Sequence, residues 1–410
     1  MTDAKTNRVI WMDAYVPYGA YWCSPFARWQ GAFSGLHALE FAAHRAKAEL
    51  RSRAIDASEF DFGILGTTIP QKRSFFGAPW VTGMLGAGQV SGPTINQACA
   101  TGARCLATAA QNLATGDAKC ALVITADKTS NGPHIYYPQP SGPGGTGAHE
   151  DWVLDNFSCD PLTGQGMLQT AENVARKWQI TTAEQNEVTL RRYEQYGDAL
   201  AQDSRFLKRF MSLPFDVPDR NFKRTVSQLS GDEGVHATTA DGVRKLAPVM
   251  KDGSVTYAGQ THPADGHAAM VVTTKDTAAR LSKRPDIEIR LVAFGQSREE
   301  PAMMPAAPIA AARTALQRAG LKIGDMAAIK SHNPFAVNDI AFARETGCDL
   351  MAMNNYGCSL VWGHPQGPTG LRAVIELIEE LAERGGGYGL FHGCAAGDTA
   401  MAVVVEVADA

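Results

Sequence analysis

The chain has 410 residues, 45% hydrophobic and 20% charged, the composition of an ordinary globular protein and enough for two domains or one large duplicated α/β unit. Its formal net charge of -4 leaves no basic footprint for nucleic acid or an anionic membrane, and no apolar run approaches a membrane span. Eight cysteines (Cys23, Cys99, Cys105, Cys120, Cys159, Cys348, Cys358, Cys394) without a C-x-x-C pair argue against zinc sites and disulfide frameworks, and the start MTDAKTNRVIW lacks a secretion signal's apolar core, so a reducing cytoplasm is expected.

In chain order, NRVIWMDAYVPYG reads as a strand entering a loop, and LHALEFAAHRAKAELRSRA has the apolar spacing of a helix. DFGILGTTIP and PTINQAC read as short strands. ARCLATAAQNLATGDA is helical with Gly116 as its stop, and KCALVITAD is the next strand. This alternation predicts a parallel sheet covered by helices. Between residues 128 and 247 the texture changes to glycine-rich loop and amphipathic stretches such as TAENVARKW and TAEQNEVTLRRYEQYGDALAQ, which predicts a helical insertion. Strand signals return at GSVTYAG and HAAMVVTT. The charged connector KDTAARLSKRPD then leads to a second α/β block beginning at IEIRLVAFG.

The two blocks echo each other. CATGARCLATAAQNLATGDAKCALVITAD and QGPTGLRAVIELIEELAERGGGYGLFHGC share T-G-x-R, a helix, a glycine stop and a strand. Thr101-Gly102 matches Thr369-Gly370, and Arg104 matches Arg372. Such a repeat predicts two similar halves whose loops meet at a pseudo-twofold.

Four chemically capable segments sit at the ends of predicted elements. Cys99 stands at a strand-to-helix junction, where helix N-terminal N–H groups favour a thiolate. By residue type alone it reads as a packed thiol, and the rest of the chain has to argue otherwise. His364 lies between Gly363 and Pro365 ahead of a helix, His332 and Asn333 follow a strand, and Cys394 ends another. A thiol, two imidazoles and a second thiol, all at the ends of elements, are what a shared nucleophilic site requires.

Five motifs, in order, resemble those of the thiolase family. INQACATG resembles the nucleophile motif, and GMLQTAEN the family's inserted loop. DGSVTYAGQTHPADGHAA, NNYGCSLVWGHPQGPTG and GGGYGLFHGCAAG resemble its three later motifs. The resemblance implies an α/β thiolase fold: two duplicated βαβαβ-type halves forming a five-layered α-β-α-β-α core with an inserted helical loop domain. It places the N-terminal half at 1–276, with the loop domain at 128–247, and the C-terminal half at 285–410.

The resemblance also implies an acyltransferase that cleaves a 3-oxoacyl-CoA with coenzyme A as substrate and no permanently bound cofactor or metal. The reverse Claisen condensation, a ketosynthase or a non-catalytic acyl-CoA-binding subunit are the alternatives; Cys394 speaks against a ketosynthase. Cys99 would carry the acyl group, His364 would accept its proton, and Cys394 would be the acid/base. The N–H groups of Cys99 and Ala396 would form one oxyanion hole, with His364 serving the other carbonyl oxygen. The family's N-E-A-F is replaced here by H-N-P-F, which resembles the sterol-carrier-type thiolases and puts His332, rather than Asn333, at the asparagine position. Met167, Thr261, Arg192, Arg244 and Lys245 would contact coenzyme A, with His262 beside Thr261. His392 reads more simply as a solvent-facing strand-end residue than as a group tuning Cys394. Trp22, Phe75, Phe76, Trp80, Tyr136 and Tyr137 are expected in active-site loops and point to a bulky or aromatic acyl group. Thiolases acting on 2-benzoylsuccinyl-CoA, giving benzoyl-CoA and succinyl-CoA, are the similar group, and they work with a small zinc-finger/OB-fold partner. The family resemblance further implies a homodimer or a dimer of dimers.

Overall fold

The computed structural model describes residues 13–409. The predicted first strand therefore falls partly outside the described residues, and its described part is β1 (Ala14–Tyr15). Next come α1 (Ala38–Ser52), β2 (Phe62–Gly66), α2 (Gly77–Leu85), β3 (Thr94–Ile95), α3 (Thr101–Thr115) and β4 (Cys120–Lys128). α3 ends at Gly116, whose left-handed backbone (φ 79°) closes the last turn, as the sequence indicates. The inserted segment carries α4 (Met167–Lys177) and α5 (Thr182–Ser204), and β5 (Ala264–Thr273) follows. The second block comprises β6 (Ile287–Arg298), α6 (Ala307–Ala319), β7 (Met326–His332), α7 (Ala336–Thr346), α8 (Gly367–Glu383), β8 (Gly387–Ala395) and β9 (Thr399–Asp409).

The strands run β3-β2-β4-β5-β1-β6-β9-β8-β7, so the halves meet edge to edge at β1 and β6. Each half repeats one pattern: β2 and β4 are parallel with β5 antiparallel to β4, and β7 and β8 are parallel with β9 antiparallel to β8. α1 and α2 cover one outer face, α6 with α7 beside it covers the other, and α3 and α8 lie between. These are the five expected layers. The repeated T-G-x-R helices are the two in the middle. A Cβ on Gly102 would come within 2.6 Å of the Leu371 nitrogen and 2.8 Å of the Gly367 carbonyl, so only glycine permits this approach. The apolar strand faces fill this core, and β9 is buried from Ala400 to Val405.

Three expectations are corrected. The insertion is not purely helical, because His134–Tyr137 pairs with Ala148–Asp151 and Phe215–Pro218 with Thr225–Leu229. GSVTYAG is no strand: its Ser254 and Val255 N–H groups donate to the Glu172 carboxylate instead of a ladder. The charged connector forms a short helix, Lys275–Leu281.

Arg192 is corrected as well. It is fully buried on α5, ion-paired to Asp339 of α7 at 3.0 Å and donating to the carbonyls of Leu350 and Met353. It therefore ties the insertion to the second half and has no free face for a phosphate. Arg192→Ala would leave the Asp339 charge buried and unpaired. The expected loss is roughly 3–5 kcal/mol in a denaturant titration, and an unchanged midpoint would contradict the structural role.

Candidate active site

Cys99 precedes Ala100, the N-cap of α3, and follows Ala98, whose φ of 43° is left-handed although it carries a side chain. That conformation costs about 1–3 kcal/mol and holds the turn sharp at the helix entrance. Burial pushes the Cys99 thiol up to about 12, while the N–H groups of Ala396 and of Cys99 itself point at the sulfur and pull it the other way. Ala396 is not among the residues with positive φ, which Gly397 and Asp398 take instead, so alanine supplies the N–H without strain.

His364 Nε2 lies 3.1 Å from Cys99 Sγ, and its Nδ1 is 2.6 Å from Thr369 Oγ1 on α8. Burial lowers the imidazole to about 3, so the resting pair is a neutral thiol donating to a neutral ring. Nδ1 then carries the ring proton and donates to Thr369, leaving the Nε2 lone pair for the thiol. Gly363 (φ 93°) is required here, because a Cβ would meet Ala264 Cβ at 2.9 Å. His262, expected beside coenzyme A, instead accepts the His364 N–H at its carbonyl, 2.8 Å away. At the end of β4, Asp127 accepts from the N–H groups of Thr68, Ile69 and Gly367, so one carboxylate pins the start of α8 to the first half.

His332 ends β7, and its ring stacks on that of His364 with centroids 4.1 Å apart. Ring nitrogens of the two histidines and Cys99 Sγ lie within 4.8 Å of one another, a set that could also hold a metal ion. Asn333 is turned away: its amide donates to Asp339 and Cys358, and its carbonyl accepts from Leu360 N–H. Of the two candidates, His332 is the one beside the thiol.

Cys394 is fully buried near the end of β8. Burial raises its thiol, the neighbouring Cys99 sulfur raises it further, and the Asn338 amide, donating at 3.2 Å, lowers it. Cys394 thus feels the charge of Cys99, 295 positions earlier in the chain (394 − 99), although it is not among the residues that line the cavity beside Cys99. His392 is not solvent-facing: it is buried, stacks on Phe342 at 3.7 Å, and burial lowers it to about 4.

A cavity of about 460 Å³ opens onto Cys99, His364 and Ala396. Met167 and Thr261 line it, and so do Trp152, Phe157 and Phe335. The aromatics expected from sequence lie elsewhere. Trp22 is core, Phe75, Phe76, Tyr136 and Tyr137 are exposed, and Trp80 packs on His37. Arg244 and Lys245 are exposed at the end of the short helix Ala240–Arg244, with Arg244 paired to Asp241, and neither lines the cavity. Sequence reasoning missed Asn338, Ser359, Trp152 and Phe157. The aromatics in EDWVLDNF were a usable signal, but the polar partners are joined only by the fold.

Four neutral buried histidines give the fold a signature. Burial lowers His267 and His364 to about 3 and His392 to about 4, and holds His332 well below the usual range. Unfolded, each titrates near ~6.5. Below that pH the unfolded chain takes protons that the folded chain refuses, so each group erodes stability by up to about 1.4 kcal/mol per pH unit. Asp127 and Asp265, raised by burial to about 6, act in the opposite sense between pH about 4 and about 6. Four against two leaves a net loss. Thermal melts should show a falling midpoint from about pH 7 to about pH 5, and a flat profile would contradict neutral burial.

The models of the thiolase N-terminal domain and the thiolase C-terminal domain match residues 22–276 and 286–407. An acetyl-CoA acetyltransferase of Rhizobium meliloti (strain 1021) is 33% identical over 383 residues, covering 92% of this chain and 94% of its own. A beta-ketoadipyl-CoA thiolase of Escherichia coli is 30% identical, over 93% of this chain and 97% of its own. The crystal structure of human mitochondrial 3-ketoacyl-CoA thiolase superposes with a TM-score of 0.87 at 26% identity, covering 97% of this chain and all of that one. The complex of that human enzyme with CoA superposes with a TM-score of 0.85.

Proposed function

The chain belongs to the thiolase family and is an acyltransferase acting on acyl-CoAs by thiolysis or condensation, and from that premise we propose that it cleaves a 3-oxoacyl-CoA through an acyl-enzyme on Cys99. The observation that carries this reading is the 3.1 Å approach of Cys99 Sγ to His364 Nε2.

In the first half-reaction Cys99 gives its proton to His364 Nε2 and its sulfur attacks the keto carbon. The oxygen of that carbonyl becomes an oxyanion facing the Cys99 and Ala396 N–H groups. As the carbon–carbon bond breaks, the electron pair passes to the departing acyl-CoA as an enolate, which takes the Cys394 proton. His364, with His332 stacked on it, would stabilise the thioester oxygen on which that enolate charge rests. In the second half-reaction Cys394, now a thiolate, deprotonates an incoming coenzyme A. The new thiolate attacks the Cys99 thioester, releasing the shortened acyl-CoA and returning the enzyme thiol with the proton held on His364. No step requires a further cofactor. Met167 and Thr261 are the coenzyme A contacts supported by their place on the cavity wall; Arg244 and Lys245 remain candidates for its phosphates as an exposed basic pair.

Trp152, Phe157 and Phe335, with Met167, Leu168 and Met304, make an apolar wall suited to an aryl acyl group. Among the described residues no lysine or arginine lines the cavity, so the extra carboxylate of 2-benzoylsuccinyl-CoA would rest on the amides of Asn96, Asn156 and Gln260. Benzoylacetyl-CoA, which lacks that carboxylate, is the matched comparison. The aryl reading expects both to be cleaved with higher kcat/KM than acetoacetyl-CoA in a thiolysis assay, and preference for acetoacetyl-CoA would overturn it. Preference for 2-benzoylsuccinyl-CoA over benzoylacetyl-CoA would assign the amides to the carboxylate. The reading further takes residues 1–276, with the insertion at 128–247, and 285–410 as the two halves, in a homodimer or dimer of dimers. A small zinc-finger/OB-fold subunit as partner is tested by whether the purified chain alone reaches full turnover.

A further inference from the structure

The stacked rings of His364 and His332 each meet a hydroxyl at Nδ1, and the two hydroxyls are differently placed. On His364 the Nδ1–H donates to Thr369, because Nε2 must accept from the thiol. On His332, Nδ1 lies 2.9 Å from Ser359 Oγ, and Nε2 is buried without a hydrogen-bond partner. Ser359 is itself fully buried and has one proton to give. It accepts the Asn333 N–H at 3.1 Å, which leaves its proton a choice between Asn333 Oδ1, also 3.1 Å away, and His332 Nδ1. Asn333 Oδ1 already receives the Leu360 N–H, whereas Ser359 supplies the one hydrogen bond seen at His332 Nδ1 among the described residues.

We propose that Ser359 is a positioning residue: its hydroxyl donates to His332 Nδ1 and so holds the ring in the tautomer with the proton on Nε2, facing the reacting thioester oxygen. The two stacked imidazoles then carry opposite tautomers, set by two hydroxyls of opposite polarity. His364 presents a lone pair to the nucleophile, and His332 presents an N–H to the enolate oxygen. The reverse tautomer of His332 would aim a lone pair at developing negative charge. Before the thiol gives up its proton both rings are neutral because burial disfavours the imidazolium, so the resting tautomer decides which nitrogen each presents.

The inference rests on the proposed thiolysis, and its test separates the two. NMR of the full-length protein carrying ¹⁵N-histidine, with His332→Gln to assign the signals, reads the tautomers directly and needs no turnover. The expected result is a protonated Nε2 on His332 and a protonated Nδ1 on His364. In Ser359→Ala the His332 signals should shift toward the Nδ1–H form, with kcat falling about tenfold to a hundredfold at unchanged KM. Ser359→Thr, which returns a hydroxyl, should restore both. A wild-type His332 protonated at Nδ1 would overturn the proposal, as would a Ser359→Ala protein that keeps the Nε2–H form. Thermal midpoints show whether each variant is folded. Failure of any 3-oxoacyl-CoA to acylate Cys99 would sink the proposed function, while the NMR result would still decide the role of Ser359.

Discussion

Cys99→Ala should lose thiolytic turnover by about 10⁴-fold or more, because in the proposed reaction its sulfur holds the acyl fragment between the two half-reactions. Alanine removes the sulfur that His364 Nε2 faces at 3.1 Å and leaves the imidazole with no proton to accept. The backbone of the turn has no reason to change, since Ala98 and not Cys99 takes the left-handed conformation. Coenzyme A binding should therefore survive, and calorimetry with coenzyme A would show it. A CoA-release assay with a 3-oxoacyl-CoA checks the main effect. Activity within a hundredfold of the wild type would mean that Cys99 is the packed thiol its residue type allows.

Cys394→Ala separates the proton from the nucleophile. The enolate leaving Cys99 must be protonated, and coenzyme A must be deprotonated before it attacks; in the proposed reaction both tasks fall to the buried Cys394 thiol. Positioned acid–base groups contribute about 10²–10⁴-fold, and turnover of 3-oxoacyl-CoA should fall by that amount. An acyl thiophenyl ester behaves differently, because its thiolate leaves without a proton. That reagent should acylate Cys99 in Cys394→Ala at close to the wild-type rate, read by intact-protein mass. Unimpaired turnover of the variant would remove Cys394 from the mechanism, and loss of labelling would make it a structural support of Cys99.

The parts of the site that were legible in the sequence have local causes. Cys99 and His364 sit in turns whose small residues and helix starts are written beside them, and Cys394 ends a run of strand residues. The duplicated T-G-x-R segments announced the two central helices, and Gly102 shows why the motif's second residue lacks a side chain. What failed was inference from residue type alone. A basic side chain in the insertion looked like a phosphate ligand, yet Arg192 is neutralised in the interior by Asp339, 147 positions further on. Exposed phenylalanines and tyrosines looked like substrate contacts, whereas Trp152 and Phe157 form the wall. Ser359 and Asn338 carry no local signal, since the groups they serve lie 27 and 56 positions away. Long-range polar partners are created by the fold, and no spacing rule records them.

The most direct test is a crystal structure of the protein with coenzyme A bound. The account requires the pantetheine to descend past Met167 and Thr261 and to bring its sulfur between Cys99 and Cys394, within hydrogen-bond reach of both. A pantetheine sulfur held outside the cavity, or walled off from Cys394 by packed side chains, would contradict the shared two-thiol site on which the reaction depends.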